Sequence, residues 1–427
     1  MAGGPPETEQ AAVVPAIATA SSTAAVRSLG RAGVETVVAA SDENAPALRS
    51  QYCDESVVVP DPTTDLEGYA AALQDLARRP AVGTILPFRE PDVYALARSK
   101  ADFADSVGTP WPDLSTLRKV QDRDRLFAAA RRAGVDTPET GLADDWEDWD
   151  RPAVVKPRYT MCVPEYDDQF RTPSVQRSST QYLPPEADPD LAGLIEEFGH
   201  VPLVQSYVPT TDEYALFAQY DHGEAVATFQ HRQIRGWKYA GGPSAYRESV
   251  AIPELERAGV ALLDELDWHG VAMVEFLRHP DTGRFELMEV NPRFWSSLPF
   301  TVQAGVDFPR RYWAQATGTA LPTDPDYAVD IGGHLLWGEL LHLHSVLAEE
   351  YPLVERPSFP RRALEIAASL ARERRFDYLS RDDPRPFLRD LRNNLSAVGA
   401  GRDAGQTPGD RATLRRVVRD LLPGGER

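Results

Sequence analysis

At 427 residues, 42 % of them hydrophobic, the chain is longer than one ordinary core organises, and about two or three domains are expected. Its 45 Lys and Arg against 65 Asp and Glu leave a formal charge of −20, which repels phosphate backbones and anionic lipid and argues against nucleic-acid or membrane partners. Two cysteines, Cys53 and Cys162, cannot form a disulfide framework or a Cys-type zinc site, and an acidic start with Glu7 and Glu9 does not read as a signal peptide, so a cytoplasmic protein is expected.

Nearly all the basic residues are arginine; the lysines are Lys100, Lys119, Lys156 and Lys238. Many acids with few lysines suit an acidic, halophile-like proteome, and a GC-rich genome gives the same bias. Where such a chain keeps a lysine, a compact ammonium charge is expected to matter.

The first hundred residues alternate short apolar runs with helical stretches. Residues 12–17, 34–40, 56–59 and 82–87 read as strands, and 23–32, 65–78 and 91–103 as helices, which implies a parallel sheet covered on both faces. The first turn, residues 18–23, lacks Gly-x-Gly-x-x-Gly, so no dinucleotide site is expected there. A helix over 122–133, stopped by Gly134 and Pro138, leads into β-rich runs at 153–156, 202–208, 214–220, 225–230, 271–277 and 284–290, with a helix at 254–266 among them. That order suggests an α+β domain of antiparallel sheets. Beyond Leu321 the pattern is helical over 335–350, 362–372 and 385–394.

The sharpest chemical feature is residues 271–293. Two apolar runs flank Pro280-Asp281-Thr282-Gly283, a turn signal, so the segment reads as a β-hairpin. A turn centred on Thr282 sets opposite each other residues whose numbers sum to 564. Glu275 and Glu289 are such a pair, with Cβ atoms about 5 Å apart on one face. Alternation adds Asn291 and Arg293 to that face. Opposed carboxylates repel, and the outcomes are a raised pKa or a bound cation; two Glu oxygens and an Asn carbonyl suit Mg²⁺ completed by phosphate oxygens. The plainer reading is a solvent-facing strand whose acids pair with Arg293 and neighbouring bases, and a one-residue slip would part the two Glu.

Weaker signals surround it. Lys156 ends an apolar strand before Pro157, where its ammonium could reach a phosphate, or simply sit at a sheet edge. Residues 204–208, including Gln205, Tyr207 and Val208, could offer an edge to a base but read far better as core strand, and Glu213 follows. His231 to Arg235 and the Gly241-Gly242-Pro243-Ser244 segment join bases to a loop, suited to an anion or to a plain surface turn. No Gly-x-Ser-x-Gly elbow or Cys/His dyad is present.

Taken together, the chain resembles the ATP-grasp superfamily, in its carboxylate–amine ligase and carbamoyl-phosphate-synthase-like branch, over about residues 12–325. Glu275, Glu289, Asn291 and Arg293 match the family's Glu…Glu-x-Asn-x-Arg pattern. The resemblance implies a pre-ATP-grasp α/β domain at 12–112, an ATP-grasp domain at 113–325 and a helical C-terminal extension at 326–398, with a disordered start at 1–11 and a flexible tail at 399–427. It also implies ATP and Mg²⁺ (or Mn²⁺) as cofactors. Arg123 and Lys156 would contact phosphates, Gln205, Tyr207 and Val208 adenine, and Glu213 ribose. Glu275, Glu289 and Asn291 would hold metal, and Arg293 and Arg235 would be catalytic. The implied reaction joins a small carboxylate to an amine through an acyl phosphate, releasing ADP and phosphate. Rival uses of such a site are phosphorylation of the substrate, bicarbonate activation, or Mg·ATP binding without catalysis. A homodimer is one assembly the sequence admits. Two departures stand out: Arg123 replaces the family's lysine, and residues 158–182 lack the glycines of the family's phosphate-covering loop.

Overall fold

The computed structural model describes residues 10–176, 180–321 and 326–400, so the expected disordered start and flexible tail lie almost wholly outside the described residues. The first sheet is parallel, in the order β3-β2-β1-β4, from Ala11–Pro15 (β1), Glu35–Ala40 (β2), Glu55–Val58 (β3) and Val82–Ile85 (β4). Ala20–Arg31 (α1), Leu66–Ala77 (α2), Glu90–Arg98 (α3) and Lys100–Ala104 (α4) connect and cover it. The continuous apolar runs of β1 and β2 are buried, as a sheet covered on both faces requires.

Leu114–Gln121 (α5) and Arg123–Arg132 (α6) bridge to a second sheet, in the order β5-β10-β6-β9. It comprises Thr140–Leu142 (β5), Ala153–Lys156 (β6), Gln181–Leu183 (β9) and, after helix Leu191–Phe198 (α7), Leu203–Ser206 (β10). Between β6 and β9, Met161–Cys162 (β7) and Ser174–Val175 (β8) pair as a small hairpin. A third, six-stranded sheet runs β15-β14-β11-β12-β13-β16. Its strands are Glu213–Asp221 (β11), Glu224–Lys238 (β12), Gly241–Ser249 (β13), Gly270–Arg278 (β14), Phe285–Asn291 (β15) and Gly332–His334 (β16), with Pro253–Glu265 (α8) inserted before β14. The fold is thus α/β followed by α+β with helices at the C-terminal end, as expected. The 241–244 segment is not a surface loop; it opens β13.

Two features of the packing position the site. First, Leu298–Ala304 (α9) and Phe308–Thr317 (α10) return to the first sheet, and one apolar core unites β1, β2 and β4 with Phe294, Trp295, Phe308 and Tyr312. Phe88 and Phe294 stack at 5.3 Å, the Phe294 N–H donates to Pro87 at 3.0 Å, and Tyr312 donates to the Ile85 carbonyl at 3.1 Å. These contacts bring the end of β15 against the start of α3.

Second, the glycine-free stretch after Lys156 is packed. Met161, Val163 and Tyr166 are buried in that same core. Tyr166 donates to Gln121 at 2.6 Å, Tyr94 donates to Glu165 at 2.7 Å, and Arg158 forks onto Asp122 at 2.9 and 3.0 Å. Burying three such side chains contributes on the order of 5 kcal/mol against opening the segment. Limited proteolysis within residues 158–170 is therefore expected to be equally slow with and without Mg·ATP; strong protection by nucleotide would show a gating loop instead.

The C-terminal helices Leu336–Ala348 (α11), Phe359–Arg372 (α12) and Arg385–Ala400 (α13) are docked by buried ion pairs. Arg235, expected beside a transferred phosphate, holds Glu339 of α11 bidentate at 2.9 and 2.7 Å and Ser369 of α12 at 2.7 Å, under the ring of Tyr246. Arg247 pairs with Asp377, and Arg27 of α1 with Asp383 at 2.9 Å. Removing one partner of a buried pair costs about 3–5 kcal/mol. Arg235→Ala is expected to lower the urea midpoint accordingly; an unchanged midpoint with lost turnover would return Arg235 to the chemistry.

Candidate active site

The hairpin is present with Glu275 opposite Glu289, Val274 opposite Val290 and Met273 opposite Asn291. Its turn is tighter than the sequence suggested. Arg278 pairs with Phe285 and Phe276 with Leu287, so near the turn the paired numbers sum to 563. A register shift between Glu275 and Phe276 then leaves Met288 unpaired and restores a sum of 564 at the two Glu. The bulge also lets Leu287 and Val290 share the buried face while Glu289 and Asn291 turn to the other. Gly283, at φ +67, closes the turn where a side chain would be strained.

The acidic face is held from three directions. Asn291 Nδ2 donates to Glu275 Oε2 at 2.9 Å and to Glu289 Oε1 at 3.4 Å. Arg123, at the start of α6, places its Nη2 3.1 Å from Glu289 Oε2 while its Nη1 holds the Pro157 carbonyl at 2.8 Å. Arg293 donates to Asn291 Oδ1 and to Glu90 Oε1, both at 2.9 Å. Glu90 reaches the site because Asp92 accepts from the N–H groups of Phe88 and Arg89 and so fixes the first turn of α3. The second Glu90 oxygen takes Gln121 Nε2 at 2.6 Å, and Gln121 in turn accepts from Tyr166 of the packed segment.

Charge sharing within this cluster is uneven. Burial and the neighbouring Glu289 charge push the Glu275 carboxyl well above the usual range. Burial would raise Glu289 too, but Arg123, a hydrogen bond from Glu275, and Lys156 outweigh it and bring Glu289 down to about 2. Burial lowers the Lys156 ammonium to about 8, with Glu289 resisting and Arg123 assisting. Burial and Glu289 raise Glu213 to about 8 against the pull of Lys156. Lys156 on the second sheet therefore faces Glu213, Glu275 and Glu289 on the third. A cation would relieve the opposition between Glu275 and Glu289. Two carboxylates and an amide oxygen fit a hard divalent ion once the Asn291 amide turns its Oδ1 inward.

The other expected residues lie around this pair of sheets. Gln205 is buried in the middle of β10, and its Nε2 donates to Thr140 at 2.9 Å, which makes its side chain a strand-pairing element. The Tyr207 N–H donates to Pro152 at 3.0 Å and Val208 is buried, so the end of β10 is a rigid edge. Tyr182 on β9 meets Tyr207 edge-on at 6.2 Å, and burial, with the Glu213 charge nearby, raises its phenol. Glu213 accepts from Gln233, and Gly241, at φ +124, comes so close that a Cβ there would stand 2.8 Å from Glu213 Oε1. Arg235 does not join the cluster. Sequence reasoning missed Glu90, Gln121 and Tyr182: Glu90 reads as an ordinary helix-start acid, Gln121 as a helix-end residue, and no spacing links Tyr182 to Glu213.

No family model matches the sequence, and no curated protein does. Solved structures match instead. Pyruvate carboxylase of Rhizobium etli is 17 % identical with a TM-score of 0.56 over 76 % of this chain and 29 % of that one. This chain therefore spans under a third of that protein's length. N5-carboxyaminoimidazole synthetase of Staphylococcus aureus, complexed with ADP, is 15 % identical with a TM-score of 0.55 over 74 % of this chain and 80 % of that one. The biotin carboxylase domain of Hydrogenobacter thermophilus 2-oxoglutarate carboxylase, complexed with MgADP, ADP and bicarbonate, is 17 % identical with a TM-score of 0.56 over 75 % and 73 %. The architecture shared with these proteins, parallel sheet first and two antiparallel sheets after it, gives this chain the ATP-grasp fold.

Proposed function

We propose that the chain is an ATP-dependent carboxylate–amine ligase that uses Mg²⁺. The observation that carries this reading is the opposed Glu275–Glu289 pair, with Asn291 beside it, facing Lys156 and Arg123. Two similar folds are solved as complexes with ADP or MgADP, which supports nucleotide binding by this one. Mn²⁺ fits the same ligands.

In this reading the rigid end of β10, with Tyr207, Val208 and Tyr182, walls the adenine, and Glu213 accepts from the ribose. Lys156 and Arg123 neutralise phosphate oxygens, and releasing Arg123 from Glu289 frees both for ligand. The bound metal supplies charge neutralisation to the phosphates. Arg293, set by Glu90, steadies the negative charge that builds as a substrate carboxylate attacks the γ-phosphate. An amine then displaces phosphate from the acyl phosphate to give an amide, ADP and inorganic phosphate. Catalysis is positioning and charge balance, with no covalent intermediate on the protein. Arg235 is left out, since its guanidinium is committed to Glu339. The buried anchors of residues 158–170 favour one rival reading, Mg·ATP binding without turnover, because that segment is not free to close.

Glu289→Gln is expected to cut substrate-dependent ADP formation by at least ~10²-fold while thermal unfolding stays within a few degrees of the parent. Full ADP formation in that variant would remove the metal assignment, and no ADP from the parent across a broad set of carboxylates and amines would favour the binding-only reading.

Lys156 sets a pH dependence. In the free protein its ammonium is held down at about 8, and phosphate oxygens bind the charged form. Mg·ATP affinity is therefore full below pH 8 and falls toward about tenfold per unit above it, until the bound-state pKa is reached. Lys156→Arg stays charged and is expected to flatten that limb. Calorimetry from pH 7 to 9.5 at saturating Mg²⁺ compares the two; parallel profiles would rule Lys156 out as the phosphate contact.

A further inference from the structure

A cleft of about 390 Å³ lies between α1, α9 and the segment that joins α12 to α13. The α1 wall is Ala24, Arg27 and Arg31, spaced three and four apart and so on one face of the helix. The α9 wall is Pro299, Val302 and Gln303, and residues 374–381 close the third side. Gln303 Nε2 donates to the Phe376 carbonyl at 3.0 Å, which fastens that segment to α9. None of these residues belongs to the acidic cluster or to the expected nucleotide contacts.

The lining is basic in a chain that is acidic. Arg372, Arg374, Arg375 and Arg381 fall within ten residues, against Glu373 and Asp377. At the cleft itself Arg27, Arg31, Arg374, Arg375 and Arg381 meet a single acid, Asp377, and that acid is already paired with Arg247. Three of these arginines are committed to neighbours. Arg27 is buried against Asp383 at 2.9 Å and against the Tyr378 carbonyl at 3.0 Å, Arg31 forks onto Asp382 at 3.1 and 2.8 Å, and Arg375 reaches Glu373 through Nη1 at 3.2 Å. Arg374 and Arg381 have no hydrogen-bond or ion-pair partner among the described residues. The paired arginines hold the walls in place, and the unpaired ones leave two planar donor forks at the cleft.

A guanidinium fork matches phosphate oxygens two at a time, which an ammonium cannot do. Pro299, Val302, Leu379 and Phe376 give the same cleft an apolar side. Its volume suits a compact small molecule. A nucleic-acid backbone or an anionic membrane is disfavoured both by the concavity and by the net charge of −20.

We propose that this cleft binds a phosphomonoester carrying a compact apolar or aromatic body, at a site separate from that of ATP. Arg374 and Arg381 grip the phosphate, Arg375 adds its Nη2, and the body lies against Phe376, Leu379 and Val302. Because the walls belong to α1, α9 and the C-terminal extension, an occupant ties the extension to the first sheet. The site stands on the cleft and its arginines and does not depend on the ligase reading.

Titration calorimetry of the full chain with phenyl phosphate, inorganic phosphate and benzyl alcohol tests this, with and without a saturating non-hydrolysable Mg·ATP analogue. Phenyl phosphate is expected to bind with a Kd of about 1 mM or tighter in both conditions, at least about tenfold more tightly than inorganic phosphate, and benzyl alcohol not detectably. The double variant Arg374→Gln/Arg381→Gln is expected to weaken phenyl phosphate by at least about tenfold. Neither guanidinium has a partner to lose, so the unliganded melting temperature is expected to stay within a few degrees and the analogue's affinity within about twofold. No binding of phenyl phosphate by the parent, a smaller loss in the double variant, or displacement of phenyl phosphate by the analogue overturns the cleft assignment and leaves the nucleotide reading standing. Equal binding of phenyl and inorganic phosphate overturns the apolar half of the site. Analogue that fails to bind the parent, with phenyl phosphate binding and its loss in the variant intact, overturns the nucleotide reading and leaves the cleft standing.

Discussion

The opposition of Glu275 and Glu289 is the constraint around which the rest of the site is built. Two carboxylates on neighbouring strands, largely out of water, cannot both stay charged without help. The chain supplies help unevenly: Arg123 and Lys156 attend Glu289, the Asn291 amide donates chiefly to Glu275, and burial beside the Glu289 charge holds the Glu275 carboxyl well above the usual range. The result is a cluster in which a bound cation would relieve the opposition of the two carboxylates. Each attending group is delivered by a different element, β6 for Lys156, α6 for Arg123 and β15 for Asn291. The cluster is thus a point at which the second and third sheets are held together by charge.

That dependence extends into the first domain. Arg293 is useful to an anion only if it is aimed, and its aim comes from Glu90, which comes from the capped start of α3. The chain from Arg293 through Glu90 and Gln121 to Tyr166 runs from the acidic face to the segment after Lys156. Where the family has glycines and a closing loop, this chain has buried Met161, Val163 and Tyr166 and a hydrogen-bonded path back to the site. The packing leaves this segment little freedom to close over a ligand.

Much of the fold was legible because period and punctuation agree with it. The alternation of strand and helix over the first hundred residues, and the strand at Ala153–Lys156, follow from apolar runs bounded by breakers. The hairpin register was legible for a reason that was only half right. A turn centred on Thr282 predicts Glu275 opposite Glu289, yet the observed turn is centred half a residue earlier, and the bulge at Met288 compensates. No local signal in Leu287-Met288-Glu289 announces that bulge; it exists because Leu287 and Val290 both belong to the core and Glu289 does not. Glycines misled in the other direction. Gly241 and Gly242 read as a loop, but their positive φ values, +124 and +86, open a nine-residue strand and let the backbone pass close to Glu213. The pairing of Arg235 was not legible because its partner, Glu339, lies 104 residues away on a helix, and sequence spacing carries no information at that range.

The C-terminal helices then acquire a purpose beyond covering a sheet. Arg235 and Arg247 sit on β12 and β13, the strands that also carry Gln233 and Gly241 against Glu213. Their partners, Glu339 and Asp377, belong to the extension, and β16 adds a strand of that extension to the same sheet. Buried pairs of this kind are weak sources of net stability but strict about geometry, since a slip in either partner strands a charge. Fixing β12 and β13 in this way fixes the surroundings of the Glu213 carboxylate. A strand pair left free to twist could not hold Gln233 and Gly241 in constant relation to Glu213, and a polar group positions a ligand only while such a relation is held to well under an ångström.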